Sequence, residues 1–80
     1  MARALNKLTD TECRAATKPG MLGDGGGLYL DIKLSGAKSW AFIWKQDGKR
    51  REMGLGAYPA VKLAFARKLA GDCREAAALG

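Results

Sequence analysis

Hydrophobic and polar positions along the chain follow a period of two in the middle and a helical period at the ends. Leu28, Leu30, Ile32 and Leu34 alternate with Tyr29, Asp31 and Lys33, which is the pattern of a strand with one buried face. Ser35-Gly36-Ala37-Lys38 interrupts the alternation. It resumes with Trp40, Phe42 and Trp44 on one side and Ala41, Ile43 and Lys45 on the other. Asp47-Gly48 is a strong signal for a type I′ hairpin turn, and a third strand is predicted from Lys49 to Leu55.

Parity fixes which side chains share a face. A two-residue Asp47-Gly48 loop pairs Trp44 with Arg51, Phe42 with Met53 and Trp40 with Leu55, and sets Lys45 opposite Arg50 and Ile43 opposite Glu52. The first hairpin needs an odd-length loop, because an even one would place Lys33 among the tryptophans. A five-residue or bulged turn is predicted there, with Leu34 opposite Trp40 and Ile32 opposite Phe42.

Helical signals flank this sheet. Thr9-Asp10-Thr11-Glu12 reads as a capping box, with Leu8 and Cys13 in the hydrophobic-staple positions, and predicts a short helix from about Asp10 to Ala16. Lys18-Pro19-Gly20 stops it, and Gly23 to Gly27 reads as a flexible connection. From Leu63 to Leu79 the chain is rich in good helix formers, with Leu63, Ala66, Leu69, Ala70, Cys73, Ala76 and Ala77 at helical spacing. The fold class predicted is α+β: a three-stranded antiparallel sheet packed on one face by the C-terminal helix, with a short N-terminal helix. Residues 1–8 are expected to be a flexible lead-in.

Composition narrows the function. Eighty residues allow one domain, and one this small buries only roughly 60% of its unfolded surface, so a deep substrate pocket is not expected. Histidine is absent, which removes the commonest general base and a leading metal ligand. No catalytic residue, metal site or cofactor is predicted. Cys13 and Cys73 are read as two reduced thiols, since no CxxC pair or secretory context suggests otherwise, with a bridge between the first and last helices as the geometric alternative. The glycine run before Leu28 lacks the following helix and Lys-Ser/Thr pair of a phosphate loop. No apolar run approaches the ~18 residues of a membrane span, so no membrane partner is expected and the chain reads as cytoplasmic.

Fourteen Lys and Arg against eight Asp and Glu give a formal charge of +6, and the segment from Lys33 to Glu52 holds six basic residues against two acids. The solvent-facing side of the sheet would carry Tyr29, Lys33, Ile43, Lys45 and Arg50, with Lys38 and Lys49 projecting from the turns. Arg51 shares the core parity and is expected at the strand's margin. Such a basic, partly apolar sheet face suits a phosphate backbone, and a β-ribbon fits the major groove dimensionally. A lysine-rich solvated face is the plainer reading of the same charges. Tyr29 fits either DNA contact or edge packing, and Ile43 could touch a thymine methyl.

Several motifs in order carry a family resemblance: Leu8-Thr9-Asp10-Thr11, Asp24-Gly25-Gly26-Gly27-Leu28-Tyr29-Leu30, Gly36-Ala37-Lys38-Ser39-Trp40 with Phe42, Gly48-Lys49-Arg50, Leu55-Gly56-Ala57-Tyr58-Pro59-Ala60-Val61 and Ala66-Arg67. Together they resemble the N-terminal arm-type DNA-binding domain of phage and prophage integrases, which are tyrosine recombinases. The resemblance implies that residues 1–80 are a single non-catalytic domain, the N-terminal fragment of a larger integrase. It also implies that the sheet enters the major groove of double-stranded arm-type sites, with other integrase domains and protomers as further partners and the isolated domain monomeric. The alternative is a protein-interaction module that docks through the sheet face or the helix around Phe65. Four positions depart from the family pattern: Lys62 stands where a helix-capping residue is usual, Phe65 where a Glu is frequent, and the apolar Ala41 and Ile43 on the second strand near where basic residues are common.

Overall fold

The computed structural model describes residues 7–79, in the order α1 (Asp10–Ala15), β1 (Gly20–Gly25), β2 (Leu28–Ile32), β3 (Lys38–Gln46), β4 (Lys49–Tyr58) and α2 (Leu63–Leu79). The four strands form one antiparallel sheet in sequence order. The α+β class is as predicted, but the sheet has four strands rather than three. The glycine-rich stretch read as a flexible connection is largely β1, which pairs Gly20 with Ile32, Leu22 with Leu30 and Gly23 with Tyr29. Its ladder is made by backbone groups, so a strand poor in β-forming side chains and lacking alternation forms by annealing to β2. Gly26 and Gly27 close the turn at positive φ, and a Cβ on Gly27 would sit 2.7 Å from the Ile43 carbonyl oxygen and 2.8 Å from the Phe42 ring.

Between β2 and β3 the parity prediction holds and the register does not. The loop has five residues, 33–37, but Leu30 faces Trp40 and Leu28 faces Phe42, four residues from the expected alignment. Leu34 therefore lies in the loop, 92% exposed, instead of opposite Trp40. A slip by an even number of residues keeps every side chain on its face, so alternation alone could not distinguish the alignments. The β3–β4 hairpin turns on Asp47 and Gly48, both at positive φ as a type I′ turn requires, and pairs Lys45 with Arg50, Ile43 with Glu52, Trp44 with Arg51 and Phe42 with Met53 as predicted. A β-bulge then places Gly56 rather than Leu55 opposite Trp40, with Gly54 opposite Ala41. The extra residue brings Tyr58 opposite Lys38, where its ring meets Trp40 edge to face at 6.1 Å.

The core lies between the sheet and α2. Leu28, Leu30, Ile32, Trp40 and Phe42 from the sheet meet Leu63, Ala66 and Ala70 from the helix, the two alanines fully buried. Small residues at the contact let the backbone approach while the aromatic rings supply the volume. The Trp40 indole N–H donates to the Val61 carbonyl at 2.6 Å, which satisfies a buried donor and fixes the entry to α2. Lys62 provides no side-chain cap, yet α2 starts at Leu63, with Ala66 N–H donating to the Lys62 carbonyl.

Leu8 and Cys13 complete the core from the N-terminal side. The capping box forms as predicted: Thr9 Oγ1 accepts from Glu12 N–H and Glu12 Oε1 accepts from Thr9 N–H, both at 3.1 Å. The lead-in prediction falls mostly on residues 1–6, outside the described residues. Its last two positions are not loose. Lys7 N–H donates to the Asp24 carbonyl, and Leu8 is buried with its N–H on the Asp24 carboxylate at 2.9 Å.

Candidate nucleic-acid interface

β2 begins opposite Phe42, so β3 beyond that point pairs with β4 alone, apart from one bond from Ile43 N–H to the Gly27 carbonyl. Residues 43–46 and 49–52 thus form a two-stranded ribbon projecting about 13 Å from the sheet, at ~3.3 Å per residue. Between Lys45 and Glu52 the ribbon carries Lys45, Lys49, Arg50 and Arg51 against Asp47 and Glu52. All four basic side chains are exposed. Lys45 and Arg50 stand directly opposite each other, and Lys49 stands opposite Gln46 beside the turn. Like charges facing each other across an antiparallel pair are destabilising, by roughly 0.2–1 kcal/mol in typical pairs. The Arg50 guanidinium has partial relief from Glu52 at 3.6 Å, while among the described residues Lys45, Lys49 and Arg51 make no ion pair.

On the sheet behind the ribbon, the face turned away from α2 carries Met21, Tyr29, Asp31, Ala41 and Gly54. Tyr29 is half-buried because its ring lies over Gly23, where a Cβ would be 3.3 Å from it. Ile43, half-buried, stands where the ribbon leaves the sheet. The ribbon therefore gathers Ile43, Lys45, Lys49 and Arg50, with Tyr29 one strand away.

Lys33 and Lys38 lie at the other end of the sheet, about 26 Å along β3 from the hairpin tip. Lys33 sits in the β2–β3 loop with its ammonium 2.9 Å from Asp31, whose hydrogen bond and charge raise its pKa. Lys38 does not project from a turn. It is the first residue of β3, shares the core parity of Trp40, and donates its ammonium to the Cys13 and Arg14 carbonyls at 2.9 Å each. A cation on the last carbonyls of α1 satisfies acceptors that the helix cannot pair and opposes the negative end of its dipole. The same ammonium lies 5.7 Å from the Tyr58 ring centre. Its charge is used inside the fold.

Arg51, expected at the strand's margin, stands opposite Trp44 on the ribbon and is exposed. Two groups of residues escaped the sequence reading. Gln46 belongs to the ribbon tip, where the Asp47-Gly48 turn signal was sufficient to place it. The second group is the pair of Asp24 and Arg67. Asp24, 2% exposed, accepts from Leu8 N–H and Arg67 Nη2 on Oδ1 and from Arg67 Nε on Oδ2, all at 2.9 Å, and Arg67 Nη2 also donates to the Leu8 carbonyl. The hydrogen bond to Asp24 raises the Arg67 pKa above its usual value. Forty-three positions separate the partners, and no local pattern signals their meeting. This buried fork ties the N-terminal segment, β1 and α2 together behind the sheet, holding the face that carries the ribbon.

Comparison with known proteins agrees with this architecture. Residues 8–80 match the family described as the Arm DNA-binding domain. The chain is 46% identical over 80 residues to the prophage integrase IntA of Escherichia coli (strain K12), an alignment covering 92% of this chain and 19% of that protein. It is 41% identical over 63 residues to the integrase of Shigella phage Sf6 and to the E. coli prophage integrase IntS, covering 79% of this chain and 16% of each relative. The chain thus spans less than a fifth of the curated relatives it matches. With the family's match extending over nearly the whole chain, and with the sheet, the helix behind it and the basic hairpin all in place, the chain belongs to the Arm DNA-binding domain family.

Proposed function

We propose that this domain binds double-stranded DNA in a sequence-specific way at arm-type sites, with the β3–β4 ribbon inserted in the major groove, and so positions an integrase for site-specific recombination. The observation that carries the reading is the facing pair Lys45 and Arg50 on a projecting ribbon. That arrangement weakens the free hairpin, and a polyanion lying along the ribbon converts the repulsion into attraction. A two-stranded ribbon also matches a groove ~12 Å wide. In this reading Lys45, Lys49, Arg50 and Arg51 contact phosphates, while Tyr29 and Ile43 face base edges. Lys33 lies too far along the sheet to join them, and Lys38 serves the fold. The domain is the non-catalytic, monomeric N-terminal part of a cytoplasmic tyrosine recombinase whose catalytic chemistry lies elsewhere in the parent protein.

The test is fluorescence anisotropy with a labelled arm-site duplex across a salt series. Binding should weaken steeply with salt, and the Lys45→Glu/Arg50→Glu variant should lose affinity at least tenfold with its thermal unfolding midpoint unlowered. No binding at low salt, or a variant that binds as well as the original, would refute the reading.

A second reading has one observation in its favour. Phe65, in the first turn of α2, is 51% exposed and suits docking on another integrase domain or protomer. Chemical-shift mapping separates the two surfaces, since DNA should perturb the ribbon and a protein partner should perturb Phe65 and its helical neighbours.

A further inference from the structure

We infer that the centre of the open sheet face receives thymine C5-methyl groups, so that the domain selects sites with A·T pairs where Ile43 meets the groove; this rests on the duplex-binding reading above. The ribbon's charges lie at its tip, whereas the face behind them is apolar. Tyr29, Ala41 and Gly54 form one row across β2, β3 and β4, and Ile43 stands next to it on β3. Tyr29 and Ile43 remain half-exposed, and among the described residues no helix packs on this face.

Gly54 is the telling position. Gly54 borders the β-bulge, where glycine is common, but a Cβ there would meet nothing within 4 Å and its backbone is outside the left-handed range, so the bulge itself does not require one. Glycine inside a strand also costs stability and can mark a place where a ligand approaches the backbone closely. The neighbouring acids, Asp31 and Glu52, are occupied by Lys33 and Arg50. What the face offers at its centre is therefore a shallow apolar step. Among the major-groove edges of the four bases, the thymine methyl is the apolar group that fits it.

The experiment uses the 80-residue chain and a library of duplexes with a randomised centre. The best-bound duplex is recovered, and each of its thymines is replaced in turn by uracil, which removes the methyl and keeps every hydrogen-bonding group. One or two positions should lose about fourfold in affinity, the value of one buried methyl-sized group. In the Ile43→Ala variant, checked for folding by tryptophan fluorescence, the same replacements should cost less than twofold. If that variant does not fold, the thymine-to-uracil series on the original protein decides alone. A duplex that is bound equally well with uracil at every position overturns the thymine inference and leaves DNA binding intact. Absence of binding to any duplex at low salt overturns both.

Discussion

Replacing Arg67 by Met tests whether the Asp24–Arg67 fork holds the domain together. The substitution keeps the aliphatic stem but removes three hydrogen bonds: two to the Asp24 carboxylate and one to the Leu8 carbonyl. The Asp24 carboxylate then keeps only the Leu8 N–H as a hydrogen-bond donor among the described residues, in a site where its side chain is 3% exposed. Breaking a fully buried ion pair from one side costs about 3–5 kcal/mol. The Arg67 side chain is 30% exposed, so water reaches part of the site and the expected loss is about 2–4 kcal/mol. A chain of this length has a total stability of roughly 4–12 kcal/mol. The variant should therefore unfold at a urea midpoint lower by ~1–3 M, read from the fluorescence of Trp40 and Trp44 at neutral pH. Asp24→Asn alone should be similarly harmful, and the double variant should be less harmful than the sum by at least ~1 kcal/mol, because neither partner is then left charged and alone. A loss below ~1 kcal/mol for Arg67→Met, or strict additivity in the double variant, would refute the role assigned to the fork.

Other expectations follow from single contacts. Gly54→Ala should leave the urea midpoint unchanged or higher, since its new Cβ meets open space, while weakening duplex binding; unaltered affinity would count against close approach at that point. Gly27→Ala should destabilise the fold by more than ~2 kcal/mol, because φ is +95° and the Cβ would run into backbone and ring at once, and a chemical melt measures it directly. Glu52→Gln, by freeing Arg50, should raise affinity for non-specific duplex about two- to fivefold at low salt, with a steeper salt dependence; a fall in affinity would contradict the pairing seen here. Burial foremost, then the charges of Asp10 and Asp24, raise the Cys13 pKa, so its contribution to stability is full below the unfolded thiol value and lost as pH rises through the folded one. The urea midpoint should accordingly fall above about pH 9 more steeply than in a Cys13→Ala variant, and Cys73 should be alkylated in the native protein well before Cys13.

Arm-domain membership, the α+β class and the β3–β4 pairing were legible in the residues, because each rests on a local or short-range signal. A two-residue Asp-Gly turn fixes the register of the strands it joins, and Thr9 with Glu12 can only cap one another where they stand. The candidate site was legible to the same extent. Ile43, Lys45, Lys49 and Arg50 lie on that one hairpin and came out together, whereas Lys33 and Lys38 were grouped with them by charge and strand parity alone. Lys38 shows why this fails. Its parity with Trp40 points it to the core side, and what receives it there is the end of a helix 24 residues earlier in the chain.

The sequence by itself determined the alternation, the caps, the hairpin turn and hence the faces of the sheet, since all of these depend on side-chain period and on neighbours within a few residues. Tertiary structure decided the rest. It set the β2–β3 alignment between two choices of equal parity, made a strand of the glycine-rich Gly20–Gly25, and brought Arg67 onto Asp24 across the molecule. These are backbone pairings and desolvated contacts between distant segments. Their free energy appears only when both partners are present and water has left, so neither segment records the outcome alone.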